Sequence, residues 1–63
     1  MNGTVKFYNI NKNFGFITGE DGKDYFVHGS GIADNEQLRD AMPVSFDVIE
    51  DEKGQKAINV RKA

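Results

Sequence analysis

Apolar and polar residues alternate over short stretches, and glycine and asparagine interrupt those stretches at close intervals, a rhythm that belongs to β-strands rather than to long helices. Thr4 to Tyr8 reads as a first strand, Phe14 to Thr18 as a second and Asp24 to His28 as a third. Between the first two, Asn9 to Asn13 is a turn rich in a residue that tolerates left-handed backbone angles. Val44 to Glu50 alternates, with Val44, Phe46 and Val48 on one face and Ser45 and Asp47 on the other. After a turn around Asp51 to Gly54, Ala57 to Arg61 makes a last strand with Ile58 and Val60 facing together. Asn35 to Met42 has a helical flavour but is short for a stable helix and ends at Pro43, so an irregular loop is the alternative. Five short strands predict an all-β fold: a small antiparallel barrel, since closure removes strand edges that would invite aggregation.

The second hairpin has a register that can be tested. A two-residue turn at Asp21-Gly22 would pair Phe16 with Val27, an aromatic opposite an obvious core residue. A three-residue loop of Glu20, Asp21 and Gly22 instead pairs Phe16 with Phe26 and Phe14 with His28. On the other face it sets Gly15 opposite Val27 and Ile17 opposite Tyr25, with Gly22 as the left-handed residue that such a loop needs. A one-residue slip exchanges the two faces. Only the three-residue loop yields one aliphatic and one aromatic face, and that register is expected.

One barrel has one interior. Ile17, Tyr25 and Val27 fill it, joined by Ile32, Val44, Phe46, Val48, Ile58 and Val60. Phe14, Phe16, Phe26 and His28 are therefore expected outside, and a contiguous exposed apolar patch marks an interaction site. Nucleobases stack on aromatic rings with about 1–3 kcal/mol per base, in a manner tolerant of sequence. Lys6 and Lys12 stand at the rim, placed to meet phosphates. Gly15, between two Phe residues, either lets a base or the sugar-phosphate chain come close or simply keeps the inner face uncrowded.

Composition narrows the classes. Sixty-three residues make one domain, 1–63, with no cysteine for disulfides or thiolate metal sites. His28 is the sole histidine, so no metal site is expected, nor any cofactor. No apolar run approaches the ~18 residues of a membrane span, and the amino terminus lacks the regions of a signal peptide. A cytoplasmic monomer is expected. Net charge is −2, whereas basic patches are the usual footprint of nucleic-acid binders. Residues 1–33 balance Lys6, Lys12 and Lys23 against Glu20, Asp21 and Asp24, while residues 34–63 hold seven acids against five basic residues. On this count the excess negative charge lies away from the aromatic half, Glu50-Asp51-Glu52 is a solvated turn, and binding relies on stacking more than on phosphate attraction. A protein-docking module using the same aromatic patch is the rival class: net acidity favours it, and the interleaved Lys, Gly and His favour nucleic acid. With one His, no Cys and no acidic pair fixed at a pocket, no catalytic constellation stands out.

Lys12-Asn13-Phe14-Gly15-Phe16-Ile17 resembles the first ribonucleoprotein motif of cold-shock domains, usually Lys-Gly-Phe-Gly-Phe-Ile. Tyr25-Phe26-Val27-His28-Gly29-Ser30 resembles the second, and Gly3-Thr4-Val5-Lys6-Phe7-Tyr8-Asn9 is similar to the family's opening Gly-x-Val-Lys-Trp-Phe-Asn. The similarity continues through Val44 to Val48 and Ala57 to Val60, covering nearly the whole chain. It implies a five-stranded OB-fold barrel that binds single-stranded RNA or DNA, pyrimidine-rich by family tendency, as an RNA chaperone or gene regulator. Position by position it carries binding roles to Lys6, Phe7, Lys12, Phe14, Phe16, Phe26 and His28, with Tyr8, Asp24 and Lys56 as further candidates. Phe7 stands where the family has a stacking Trp, although strict alternation from Val5 would point it inward. Three departures are visible: Asn13 replaces a Gly, Gly29 stands where many relatives carry an aromatic, and 33–43 contains no aromatic. At about 1–3 kcal/mol per stack, two absences weaken binding by about one to four orders of magnitude.

Overall fold

A computed structural model describes residues 1–33, 37–52 and 54–63. Five strands form: β1 (Asn2–Asn9), β2 (Phe14–Gly19), β3 (Asp24–His28), β4 (Pro43–Asp51) and β5 (Gly54–Lys62). One turn of 3-10 helix, Gly29–Gly31, follows β3. The strands close into a barrel in the order β1-β2-β3-β5-β4, with β4 returning to β1. The expected antiparallel pairing holds for β1–β2, β2–β3, β1–β4 and β4–β5, while β3–β5 is parallel. Parity explains the exception. Strand direction cannot alternate all the way round a ring with an odd number of strands, so one neighbouring pair must run the same way.

The β2–β3 hairpin takes the three-residue loop. Phe14 pairs with His28, Gly15 with Val27, Phe16 with Phe26 and Ile17 with Tyr25. The Gly19 N–H donates to the Lys23 carbonyl at 2.8 Å, and Gly22 takes the left-handed φ of 83° that closes the loop. Tyr25 then reaches from the core to the loop, its hydroxyl donating to the Asp21 carboxylate at 2.5 Å. The first turn also uses a left-handed residue, Asn13 at φ 55°, so Asn fills the role that Gly has in the motif.

Val5, Ile17, Val27, Val44 and Val60 are fully buried, and Tyr25, Leu38, Phe46 and Ala57 complete the core. One sequence expectation changes here. Ile58 and Val60 do not face inward together: Ala57 and Val60 are buried and Ile58 is half-buried. The cause is Asn59, whose left-handed φ of 52° breaks the alternation opposite a register shift in β4. In the segment before β4, Asn35 and Glu36 lie outside the described residues, and 37–42 forms no helix. That segment sends Leu38 into the core and joins β1 through Ala41 N–H to Val5 carbonyl (2.8 Å) and Val5 N–H to Met42 carbonyl (2.9 Å).

The feature of most consequence for the outer surface is a bulge in β1. Val5 pairs with Ile17, but Phe7 pairs with Phe16, so Lys6 is an extra residue against β2. An inserted residue inverts the facing of everything beyond it. Val5 stays in the core and Phe7 turns outward, 40% exposed. Gly15 permits this packing. A Cβ there would lie 2.3 Å from the Phe7 carbonyl oxygen and 2.8 Å from the Tyr8 Cα. Of its two readings, the structural one holds: Gly15 is buried against the β1 backbone, where no base could approach.

Candidate nucleic-acid interface

Strand parity puts Phe14, Phe16, Phe26 and His28 on the outer face of β2–β3, and the β1 bulge adds Phe7 beside them. The four Phe rings form one connected surface. Phe7 meets Phe14 edge-on (6.4 Å between centroids) and Phe16 at a tilt (5.6 Å). Phe26 lies stacked with Phe14 (6.0 Å, 23° between planes) and edge-on to Phe16 (5.8 Å). None of the four belongs to the buried core cluster. Phe14, Phe16 and Phe26 are half-buried because they lean on one another, which holds the rings in place without a ligand.

The same outer row ends in a polar pair, Thr18 opposite Asp24. The Thr18 hydroxyl and the Lys6 ammonium both donate to the Asp24 carboxylate at 3.0 Å, and these contacts, the Lys6 one foremost, hold Asp24 below its ordinary value. Lys6 thus stands beside the platform with a carboxylate already at its ammonium, in an exposed pair that is weak and exchangeable. Lys12 is exposed in the β1–β2 turn, its backbone N–H donating to the Asn9 side-chain oxygen at 3.1 Å.

At the other end, His28 is exposed and caps the 3-10 turn. Its Nδ1 accepts the Ser30 backbone N–H at 3.1 Å and lies 3.0 Å from the Ser30 hydroxyl. An acceptor Nδ1 leaves the ring proton on Nε2, which is then a donor directed away from the turn. Tyr8, flanking Phe7 in sequence, goes elsewhere: it is half-buried against the core. It also explains Gly29. A Cβ at Gly29 would lie 3.1 Å from the Tyr8 hydroxyl oxygen and 3.3 Å from the Asn13 Cβ, so these side chains occupy the ground that a larger residue would need.

The charge map read from the sequence needs correction. The parallel pairing sets Lys56 beside Phe26 and carries the tip of the β4–β5 hairpin to the aromatic face. The result is an open cleft of about 990 Å³, bordered by Phe16 and Phe26, by His28 and Ser30, and by Asp51, Glu52, Gln55 and Lys56. Lys56 pairs with Asp51 at 3.3 Å. Asp51 and Glu52 of the acidic run therefore wall the aromatic cleft and are not part of a remote solvated turn. Sequence reasoning misses Asp51, Glu52 and Gln55 as lining of this cleft, since no local pattern reveals which strand a parallel closure will place beside β3.

Among the described residues, no three His, Asp or Glu side chains are grouped to hold a metal ion, and no helix is long and apolar enough to cross a membrane. A small closed β-barrel with an outward aromatic ladder carrying both ribonucleoprotein-type motifs defines a class, and the comparisons agree with it. The family model of the 'Cold-shock' DNA-binding domain matches residues 1–63, and the chain belongs to that family. It is 48% identical over 61 residues to cold shock protein 1 of Lactiplantibacillus plantarum, covering 94% of this chain and 92% of that one. It is also 48% identical to cold shock protein CspC of Bacillus subtilis, covering 97% and 96% of the two chains. The major cold shock protein of Streptococcus pyogenes serotype M1 is 45% identical, covering 95% and 92%.

Proposed function

We propose that this protein binds single-stranded RNA or DNA by stacking unpaired bases on Phe7, Phe14, Phe16 and Phe26, and that it acts in the cytoplasm as a monomeric RNA chaperone or regulator of gene expression rather than as an enzyme. The observation that carries the reading is the continuity of the four rings on one outer surface. Bases are flat, carry a π face and tolerate any order on such a surface. Membership in a family described as DNA-binding supports the same chemistry. Lys6, Lys12 and Lys56 supply cations for phosphates, His28 offers an Nε2–H to a base or sugar, and Asp24 positions Lys6.

Affinity is modest in this reading. Four stacks at about 1–3 kcal/mol each give about 4–12 kcal/mol gross, against about 8 kcal/mol net for a micromolar complex. Tyr8 is turned to the core and Gly29 contributes no ring, so the footprint is short. The test is a titration of a labelled mixed-pyrimidine oligonucleotide by anisotropy or calorimetry at physiological salt. Micromolar binding that collapses on Phe16→Ala is expected. A nanomolar constant would refute the short footprint, and absence of binding would refute the function. Light scattering with and without the oligonucleotide addresses the docking alternative: self-association that the oligonucleotide leaves untouched would favour it.

A further inference from the structure

One end of the barrel is closed by a methionine. Alternation backward from Val5 gives Gly3 and Met1 the same inward parity, and Gly3 pairs with Gly19 of β2. Two facing glycines leave that end without side chains of its own, beneath the Tyr25 and Phe46 rings, which lie 5.6 Å apart. Met1 fills the place. A Cβ on Gly19 would lie 3.0 Å from the Met1 Sδ, 2.9 Å from the Tyr25 Cε2 and 2.7 Å from the Asp21 Oδ1. Thioether, phenol ring and carboxylate thus converge over the bare face of Gly19. Strand β4 holds Met1 there: its nitrogen donates to the Phe46 carbonyl at 2.7 Å, and its carbonyl accepts the Phe46 N–H at 2.8 Å. Those bonds tie down a residue that would otherwise fray. Met1 is 42% exposed while Tyr25 beneath it is 4% exposed, so solvent reaches the side chain that covers the ring.

A thioether beside an aromatic ring makes a favourable contact, and its sulfur is open to two-electron oxidants. With hydrogen peroxide, a sulfur lone pair takes one oxygen, the O–O bond breaks and the other oxygen leaves as water. Sulfur is oxidised by two electrons and the peroxide is reduced. The sulfoxide is polar, with a partial negative charge on its oxygen. It forms beside the Asp21 carboxylate, which already accepts the Tyr25 hydroxyl and the Lys23 N–H. Held in place, it opposes that carboxylate; turned to water, it uncovers Tyr25. Both outcomes loosen the tip of the β2–β3 hairpin. Met42, the other methionine, is half-buried against the core, where an oxidant reaches it more slowly. We propose that the Met1 thioether is a reversible peroxide-modification site whose sulfoxide weakens the Tyr25–Asp21 clamp and lowers the temperature at which the barrel unfolds. The inference is independent of the nucleic-acid reading.

The test treats the folded protein with hydrogen peroxide and locates each added oxygen by peptide mass spectrometry. In the wild type, sulfoxide is expected at Met1 at least about fivefold faster than at Met42. Met42→Leu, a nearly volume-conserving change, leaves Met1 as the sole thioether, so that its oxidation can be taken to completion. Thermal melts followed by circular dichroism should then show a midpoint about 2–10 °C lower than before oxidation. Treatment with methionine sulfoxide reductases of both stereospecificities should restore it. Tyr25→Phe lacks the hydroxyl and has no clamp to lose, so oxidation should lower its midpoint by less than about half as much. If Met42→Leu does not fold, wild type oxidised at Met1 alone under limiting peroxide gives the same comparison. Equal oxidation rates at the two methionines overturn the inference. So does a midpoint that Met1 oxidation leaves unchanged, or a Tyr25→Phe decrease as large as that of the parent protein.

Discussion

Phe16 and Ile17 are adjacent in sequence and opposite in consequence. Ile17 is wholly buried, while Phe16 shares its exposure with Phe7 and Phe26. Ile17→Ala should cost about 2–5 kcal/mol, much of the roughly 3–9 kcal/mol that holds a domain of this size together. Phe16→Ala should cost stability only about 1–2 kcal/mol yet weaken oligonucleotide binding about 5- to 150-fold, the value of one stack. Urea unfolding and titration of the two variants side by side check the contrast, and a Phe16→Ala protein that fails to fold would show the ring to be core. Gly15, between Phe14 and Phe16, is a different case. The Cβ of Gly15→Ala meets backbone, which cannot swing aside, so a loss of about 1–3 kcal/mol or more is expected in the same unfolding experiment.

At the scale of elements, the β2–β3 hairpin is pinned at its tip by charge. The Tyr25 hydroxyl, and after it the Lys23 backbone N–H, hold the Asp21 carboxyl below its ordinary value of 3.8; Lys6 and Thr18 do the same for Asp24. A carboxyl whose folded pKa is depressed stabilises the fold fully above the unfolded value, and that contribution is lost as pH falls through the lower folded value. Melting temperature should therefore be flat near neutrality and drop once pH goes below about 4. Asp21→Asn and Tyr25→Phe should both melt lower than wild type at neutral pH and show a shallower acid decline. Circular dichroism melts across this range check it, and variant curves running parallel to the wild type would remove the hairpin clamp from the account. Acidification also discharges Asp24, so Lys6 loses its internal partner at the pH where the hairpin weakens.

Across the whole molecule, closure with an odd strand count forces one parallel pair, and that pair determines the electrostatics of the site. Acidic groups flank the aromatic platform at both ends, Asp24 beside Lys6 and Asp51 with Glu52 beside Lys56. Phosphate attraction is correspondingly limited. Roughly two to three phosphate contacts from Lys6, Lys12 and Lys56 give a log–log salt slope of about −1.4 to −2.1 on a single strand. Affinities measured from low to physiological salt should fall in that band. A slope steeper than about −5 would mean that cations, and not rings, dominate binding.

The local sequence determined whatever depends on neighbours in the chain or across a tight turn: strand positions, the β2–β3 register and the outward facing of Phe14, Phe16, Phe26 and His28. A hairpin couples residues a few positions apart, and an apolar face admits one register. Family resemblance, and not alternation, pointed to Phe7 as a platform residue; the bulge at Lys6 supplies the mechanism. Only the tertiary structure decided the inward choice of Ala57 over Ile58, the core role of Leu38 and the arrival of the acidic hairpin tip beside Phe26. The facing of Ala57 and Ile58 follows from the left-handed backbone at Asn59, and the other two depend on contact between segments far apart in the chain, which no local pattern of polarity encodes.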